Sequence, residues 1–113
     1  MGRVPALPPL VLTPAADRAI RAAAEAAHPA ECCGILTWRP GDPASLAVHP
    51  LVNLADRLHA ADPVAHPRDA RTAYVVDPRE VDRLCREAAA AGRALAAFYH
   101  SHPEHGAYFS ATD

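Results

Sequence analysis

The sequence predicts a single α+β domain, built as layers of sheet and helix. Three observations predict this fold: helical and strand patterns alternate over 113 residues, the apolar runs are short, and turn residues separate them. A chain of this length can form one hydrophobic core. Half of the residues are apolar, yet only two Phe, three Tyr and one Trp occur. We therefore expect a core of Leu, Val and Ile packed with small side chains.

A short strand and a helix come first. Residues 9–12 are apolar and predict the strand. Thr13 is suited to cap a helix, with Pro14 at its first position. Helix-forming residues then continue to Ala27. The helix should end there, because a residue before proline, here before Pro29, disfavours the α conformation.

A β-hairpin is predicted next. Residues 31–38 read as a strand, and turn chemistry follows at residues 39–43. Residues 45–54 then predict a second strand, bent or interrupted at Pro50. The alternation of a strand places every second residue on one face. In the first strand, that face would carry Glu31, Cys33, Ile35 and Thr37.

The second half of the chain predicts a loop, a strand, a helix and a last strand. Residues 55–71 lack a clean period and predict a loop with room for one helical turn. Residues 72–76 predict a strand.

The following helix should begin with a capping box formed by Asp77 and Glu80, and should stop at Gly92. Residues 94–99 predict a buried strand that ends at His100.

Charge and composition exclude several classes of protein. The formal charge of −2 comes without a basic stripe, so nucleic-acid binding is not expected. No apolar run is long enough to span a bilayer, and the proline-broken N-terminus does not resemble a signal peptide. We therefore expect a soluble, cytoplasmic protein without membrane contact. The three cysteines form neither a disulfide framework nor a thiolate zinc motif, and are interpreted as small apolar residues.

The last fourteen residues carry the candidate chemistry. His100 and His102 are two apart at a strand end, so both imidazoles point to the same side. Pro103 then ends the strand. Ser110 and Asp113 have the spacing of a capping box, which would aim the carboxylate inward. Ligands of N, N and O type leave a fourth position for water, as catalytic zinc requires.

A general base must accompany such a metal. Zinc lowers the pKa of its water from about 15.7 toward about 7, but a side chain must still take the proton. Glu31, which opens the first hairpin strand, is the natural candidate. The remaining histidines show no ligand spacing and are interpreted as solvated or hydrogen-bonded side chains; they are His28, His49, His59, His66 and His105.

The motif resembles that of the JAMM metalloproteases, also called MPN-plus domains. Their pattern is an upstream Glu, then His-x-His-Pro, seven residues to a Ser, and two more to an Asp. Here the pattern runs from His100 through Ser110 to Asp113. The segment from His28 to Leu36 is similar to the family's segment around its catalytic Glu, particularly in small stand-alone prokaryotic members.

The resemblance implies a cytidine-deaminase-like mixed β-sheet flanked by helices. It also implies that His100, His102 and Asp113 bind Zn²⁺, that Glu31 is the general acid/base and that Ser110 stabilises the oxyanion. The implied reaction cuts a peptide or isopeptide bond after the C-terminal Gly-Gly of a ubiquitin-like or sulfur-carrier protein.

Two departures from the family pattern accompany this resemblance. The family usually has Pro before the serine, where this chain has Phe109. Family members also continue past the aspartate, so residues 1–113 would form a metallopeptidase domain that is short at its C-terminal end.

A non-catalytic scaffold of the same fold that binds a partner protein stays open as an alternative. A zinc deaminase is not favoured, because this sequence lacks the cysteine ligand signature of that class. The oligomeric state, a homodimer included, is open as well.

Overall fold

The computed structural model describes residues 10–103 and confirms an α+β fold. It contains three helices and three strands in that range. In chain order they are α1 (Pro14–Ala27), β1 (Cys33–Arg39), β2 (Asp42–Leu51), α2 (Ala55–Ala61), α3 (Pro78–Ala90) and β3 (Ala94–His100). None of these helices combines the length and apolar character needed to cross a membrane.

Both long helices begin at the predicted caps. The hydroxyl of Thr13 accepts a hydrogen bond of 3.2 Å from the backbone N–H of Ala16 at the start of α1. At the start of α3 the Asp77 carboxylate accepts from the N–H of Arg79 at 2.9 Å, one position earlier than a capping box with Glu80 requires. Local sequence therefore determines where these helices start.

Gly92 ends α3, as predicted. Its φ of +73° lies in the left-handed region, which glycine occupies without strain. The N–H of Arg93 reaches the carbonyl of Ala88 at 2.8 Å, and the N–H of Gly92 reaches that of Ala89 at 3.1 Å. These two bonds form a Schellman motif, which turns the chain sharply from α3 into β3.

The three strands form a sheet of order β2-β1-β3, and both pairings are antiparallel. The predicted hairpin is therefore confirmed, with Gly41 at φ +82° in its turn. Cys33 lies opposite Leu51 on one side and opposite His100 on the other. This register places the start of the central strand β1 beside the end of β3.

Apolar side chains cover both faces of β1 and produce three layers. On one face Cys32, Leu36 and Tyr99 form a buried cluster, against which Ile20 and several alanines of α1 pack. On the other face a second buried cluster packs against α3 and the segment before it. Its members are Cys33, Ile35 and Leu51, with Tyr74, Val76, Val81 and Leu84 around them. The predicted alternation of β1 holds for Cys33 and Ile35.

Three predicted elements differ from the structure. The strand predicted for residues 9–12 is irregular over residues 10–12, and residue 9 lies outside the described range. Residues 72–76 form no ladder, so the strand predicted there is wrong. Their backbone groups bond to the Asn53 side chain and to Leu54 instead. The loop predicted for residues 55–71 contains α2, a helix of seven residues.

Candidate active site

The candidate site lies where the start of β1 meets the end of β3. The N–H of Ser101 donates to the carbonyl of Cys32 at 3.0 Å. The N–H of Cys32 donates to the Ser101 hydroxyl at 2.9 Å. This reciprocal pair joins the two strand ends and keeps Ser101 engaged with backbone, between the two candidate histidine ligands.

The structure brings three of the predicted site residues together. The Nε2 atoms of His100 and His102 are 2.9 Å apart, and their ring centroids are separated by 4.8 Å. An oxygen of Glu31 lies 3.9 Å from Nε2 of His102. The side chains of Glu31 and His102 are only 8% and 9% exposed. Groups that prefer water or a charged partner are thus concentrated in a largely dry corner of the fold.

The two imidazoles can bind one cation if their rings move slightly apart. Tetrahedral zinc with Zn–N bonds of about 2.0–2.1 Å places two ligand nitrogens about 3.3 Å apart. The observed 2.9 Å is shorter, so the rings would open by about 0.4 Å to bind such a metal. At this distance one ring can donate its Nε2–H to the other, and the two nitrogens face each other.

A third ligand is not contributed by the described part of the chain. Among residues 10–103, no three His, Cys, Asp or Glu side chains gather closely enough to hold a metal ion. The predicted ligand Asp113 and the predicted oxyanion residue Ser110 lie outside the described residues, and their roles remain predictions.

Tyr74 is a site residue that the sequence pattern does not reveal. Its ring stacks on the imidazole of His100, with centroids 4.4 Å apart and planes inclined by 22°. The ring also packs on the buried cluster of Cys33, Ile35 and Leu51. Tyr74 therefore limits how the His100 ring can tilt. A tyrosine in a predicted strand gives no sequence signal for this role.

Asn53 is a second residue that the sequence pattern does not single out. Its amide donates to the carbonyl of Glu31 at 3.0 Å. The N–H of Glu31 donates to the carbonyl of Ala70 at 2.6 Å. Both backbone groups of the candidate base are therefore held from outside the sheet. In the sequence, an asparagine after an apolar strand indicates only a turn.

The thiol of Cys33, next to the candidate site, is buried and favours its protonated form. Burial, with smaller effects from Cys32, Glu31 and Glu80, raises the pKa of Cys33 to about 11. The thiolate, which is the ligand and nucleophilic form, is then scarce. Cys32 and Cys33 are buried and free, which agrees with their interpretation as small apolar residues.

A cavity of about 420 Å³ opens beside His102. It lies between the C-terminal half of α1 and the residues that follow β3. Its lining consists of Ala24, Glu25, His28, Ser101, His102 and Pro103. The cavity therefore opens onto the His102 side chain from the α1 side.

Two other histidines are engaged elsewhere. The Nε2 of His49 lies 2.8 Å from the hydroxyl of Thr37. The Nδ1 of His59 lies 2.8 Å from the carbonyl of His66. Both contacts agree with the prediction that these are hydrogen-bonded histidines rather than ligands.

Comparison with known proteins gives a family and one informative relative. Residues 13–113 match the family described as prokaryotic homologs of the JAB domain. A protein named desampylase, from Haloferax volcanii, is 38% identical over 85 residues. The alignment covers 75% of this chain and 52% of that protein, so the chain spans about half the length of this relative. No solved structure matches the chain.

Proposed function

The chain belongs to the prokaryotic homologs of the JAB domain, and from that premise we propose that it is a zinc-dependent peptidase. Its proposed reaction is hydrolysis of a peptide or isopeptide bond after the C-terminal Gly-Gly of a ubiquitin-like or sulfur-carrier protein. The relative named desampylase supports a hydrolase. The metal, the bond and the substrate are parts of the proposal.

One observation carries the proposal. A carboxylate and two imidazoles meet at the joined ends of β1 and β3, with 2.9 Å between the Nε2 atoms and 3.9 Å from Glu31 to His102. Two ring nitrogens aimed at one point are suited to a borderline-soft cation such as Zn²⁺. A buried carboxylate beside them is suited to proton transfer.

The metal would be held by His100 and His102, with Asp113 proposed as the third ligand. When bound, zinc supplies Lewis-acid chemistry that polarises the scissile carbonyl and makes water acidic. Tyr74 holds the plane of the His100 ring, and the bonds between Ser101 and Cys32 hold the backbone between the ligands. These contacts support the proposed roles of the two histidines, because they restrict the His100 ring and the backbone at Ser101.

Glu31 would move the proton. Its carboxylate takes a proton from the attacking water and delivers it to the leaving amine nitrogen. Because its side chain is 8% exposed, bulk water competes poorly for that proton. Ser110 is proposed to donate a hydrogen bond to the developing oxyanion.

The substrate would bind as an extended tail. Backbone hydrogen bonds would supply affinity for the extended segment. Two glycines would fit a narrow channel that excludes side chains.

We propose a soluble cytoplasmic setting, without nucleic acid or membrane as partner.

The direct test is cleavage. The zinc-loaded protein is incubated with ubiquitin-like proteins that carry residues beyond a Gly-Gly, and the products are identified by mass spectrometry. We expect loss of the residues after Gly-Gly, and a loss at least about 100-fold slower with Glu31→Gln. Cleavage at another position, or cleavage by Glu31→Gln at the wild-type rate, would contradict the proposal.

Zinc stoichiometry separates the enzyme from a scaffold. Elemental analysis is expected to find one zinc per chain, and less with His100→Gln or His102→Gln. His49→Gln is the matched control, because His49 bonds to Thr37, away from the site, and its loss should leave the zinc content unchanged. Full zinc binding without cleavage of any carrier would instead favour a partner-binding scaffold.

A further inference from the structure

Asn53 uses its whole side chain to hold backbone around the site. Its Nδ2 donates to the carbonyls of Glu31 and Ala73, both at 3.0 Å. Its Oδ1 accepts from the N–H groups of Ala55 at 3.0 Å and Val75 at 3.1 Å. A carboxamide has two donor hydrogens and an oxygen with two lone pairs, so all four sites are occupied. Asn53 is also the only Asn or Gln in the sequence.

The bond to Glu31 fixes a residue that the sheet does not hold. The ladder of β1 with its neighbours begins at Cys33, two residues after Glu31. The Glu31 carbonyl accepts from Asn53, and its N–H donates to Ala70. These two contacts therefore hold the backbone of Glu31 at a point that lies outside the ladder.

The two bonds to the segment 72–76 fix Tyr74 in the same way. They engage the carbonyl of Ala73 and the N–H of Val75, which are the residues on either side of Tyr74. This segment forms no strand, so a side chain replaces the neighbour that a ladder would supply. The Tyr74 ring held in this way stacks on His100 at 4.4 Å.

We propose that Asn53 is the positioning residue of the site, setting both the general base Glu31 and, through Tyr74, the ligand His100. This proposal rests on the proposed hydrolytic function. In this role Asn53 acts through the backbone groups that its carboxamide binds. Only a carboxamide can donate to two carbonyls and accept from two N–H groups at one point, so neither a carboxylate nor an apolar isostere can replace it.

Asn53→Asp is the sharpest variant. It keeps the size and the accepting oxygen, but it loses both donors and places a carboxylate oxygen against the carbonyls of Glu31 and Ala73. A displaced base misses the reacting proton, and a displacement of about 1 Å can lower a rate by about 100-fold. We expect kcat to fall about 10- to 100-fold, with KM and zinc stoichiometry unchanged within about twofold. Asn53→Leu, which removes all four bonds, should lower kcat at least as far.

Arg93→Met is the matched control for lost stability. The Arg93 guanidinium also makes three tertiary hydrogen bonds, to two oxygens of Thr37 and to the carbonyl of Ser45. Thr37 lies six residues along from Glu31, about 20 Å at the rise of a strand. We expect this variant to melt at a lower temperature while its kcat per bound zinc stays at the wild-type value.

Two kinetic outcomes would overturn the positioning role. One is an Asn53→Asp protein that melts earlier but keeps the wild-type kcat per bound zinc. The other is an equal loss of kcat in Arg93→Met, because the effect would then follow stability alone. Absence of activity in the wild type would overturn the proposed function instead.

Nuclear magnetic resonance decides the geometry without any activity. Because Asn53 is the only side-chain carboxamide, its NH₂ group gives the single carboxamide pair in a ¹⁵N spectrum of the wild-type protein. Two bound carbonyls should slow the exchange of both protons with water at least about 10-fold relative to an exposed amide. Exchange of both protons at the exposed rate would overturn the proposal, including when Asn53→Asp does not fold.

Discussion

The two ends of β1 differ in how their polar groups are matched. At the arginine end, defined by Thr37, Ser45, His49 and Arg93, a guanidinium donates to three oxygens. The Thr37 hydroxyl there also contacts His49. At the histidine end, defined by Glu31, His100 and His102, a carboxylate meets two imidazoles. The arginine end contains a positively charged hydrogen-bond donor. The histidine end instead brings together a carboxylate and two imidazoles, which can accept a proton or bind a cation.

Under the proposed function, stabilising contacts lie at one end of β1 and the proposed chemistry lies at the other. Thr37 is 1% exposed and polar, so leaving its oxygens without a donor would be costly. At the histidine end, backbone contacts hold Glu31 and Ser101, and the two imidazoles contact each other. Substitutions at the arginine end should therefore change unfolding, and those at the histidine end should change turnover.

The largest expected effect is at the histidine end. Glu31→Gln removes the proton acceptor while keeping the shape, so kcat should fall about 10²- to 10⁴-fold. Zinc content by elemental analysis should stay within about twofold of the wild type. A loss of zinc equal to the loss of activity would contradict the proposed role of Glu31 as proton acceptor, because Glu31 would then be a metal ligand.

The next effect is at the arginine end. Arg93→Met leaves Thr37 and Ser45 oxygens without their charged donor, and should lower the free energy of unfolding by about 2–4 kcal/mol. Urea denaturation of the zinc-loaded protein measures it. Ser45→Ala, which keeps the carbonyl that Arg93 binds, serves as a milder variant at the same end. A change below about 0.5 kcal/mol in Arg93→Met would contradict the assigned role.

Substitutions of Tyr74 test whether its ring holds the proposed ligand His100 in place. Tyr74→Leu removes the ring that stacks on His100, and aromatic pairs contribute about 0.5–1.5 kcal/mol. The zinc dissociation constant should therefore rise about 3- to 10-fold, as measured by competition with a chelator. Tyr74→Phe keeps the stack and should bind zinc like the wild type. Equal affinity in all three proteins would mean that stacking does not hold the ligand.

The smallest effect concerns pH at the arginine end. Burial, followed by the charge of Arg93, lowers the pKa of His49 below its ordinary 6.5 in the folded protein. The unfolded chain then takes up the proton first as the pH falls, so the folded state loses stability below about pH 6.5.

Urea denaturation of metal-free protein between about pH 7.5 and 5 measures this loss. His49→Gln should show a smaller decrease than the wild type. A parallel decrease in both proteins would show that other groups cause the acid sensitivity.

Local signals in the sequence were sufficient for the caps and the hairpin. Thr13, Asp77 and Gly92 act on backbone groups within a few residues, so their effects can be predicted without tertiary structure. The convergence of His100 with His102 also follows from strand alternation. The meeting of Glu31 with them depends on the pairing of β1 and β3, which periodicity alone could not give; the family resemblance implied only the role of Glu31.

The remaining differences have long-range causes. The segment 72–76 has strand composition, but its partner is the side chain of Asn53, twenty or more residues away. Tyr74 contacts His100 across a similar separation in sequence. Such contacts leave no periodic pattern, because a single residue makes them. The proposed roles of Ser110 and Asp113 stay predictions, since both lie outside the described residues.

The close approach of Tyr99 to Gly34 has a consequence for the alignment of β3. These residues face each other across the ladder, and a Cβ at Gly34 would overlap the Tyr99 ring. The ring thus fits only where β1 lacks a side chain. Sliding β3 by one residue would turn both imidazoles to the opposite face. The absence of a Cβ at Gly34 therefore helps to fix the register of β3, and with it the side of the sheet on which His100 lies.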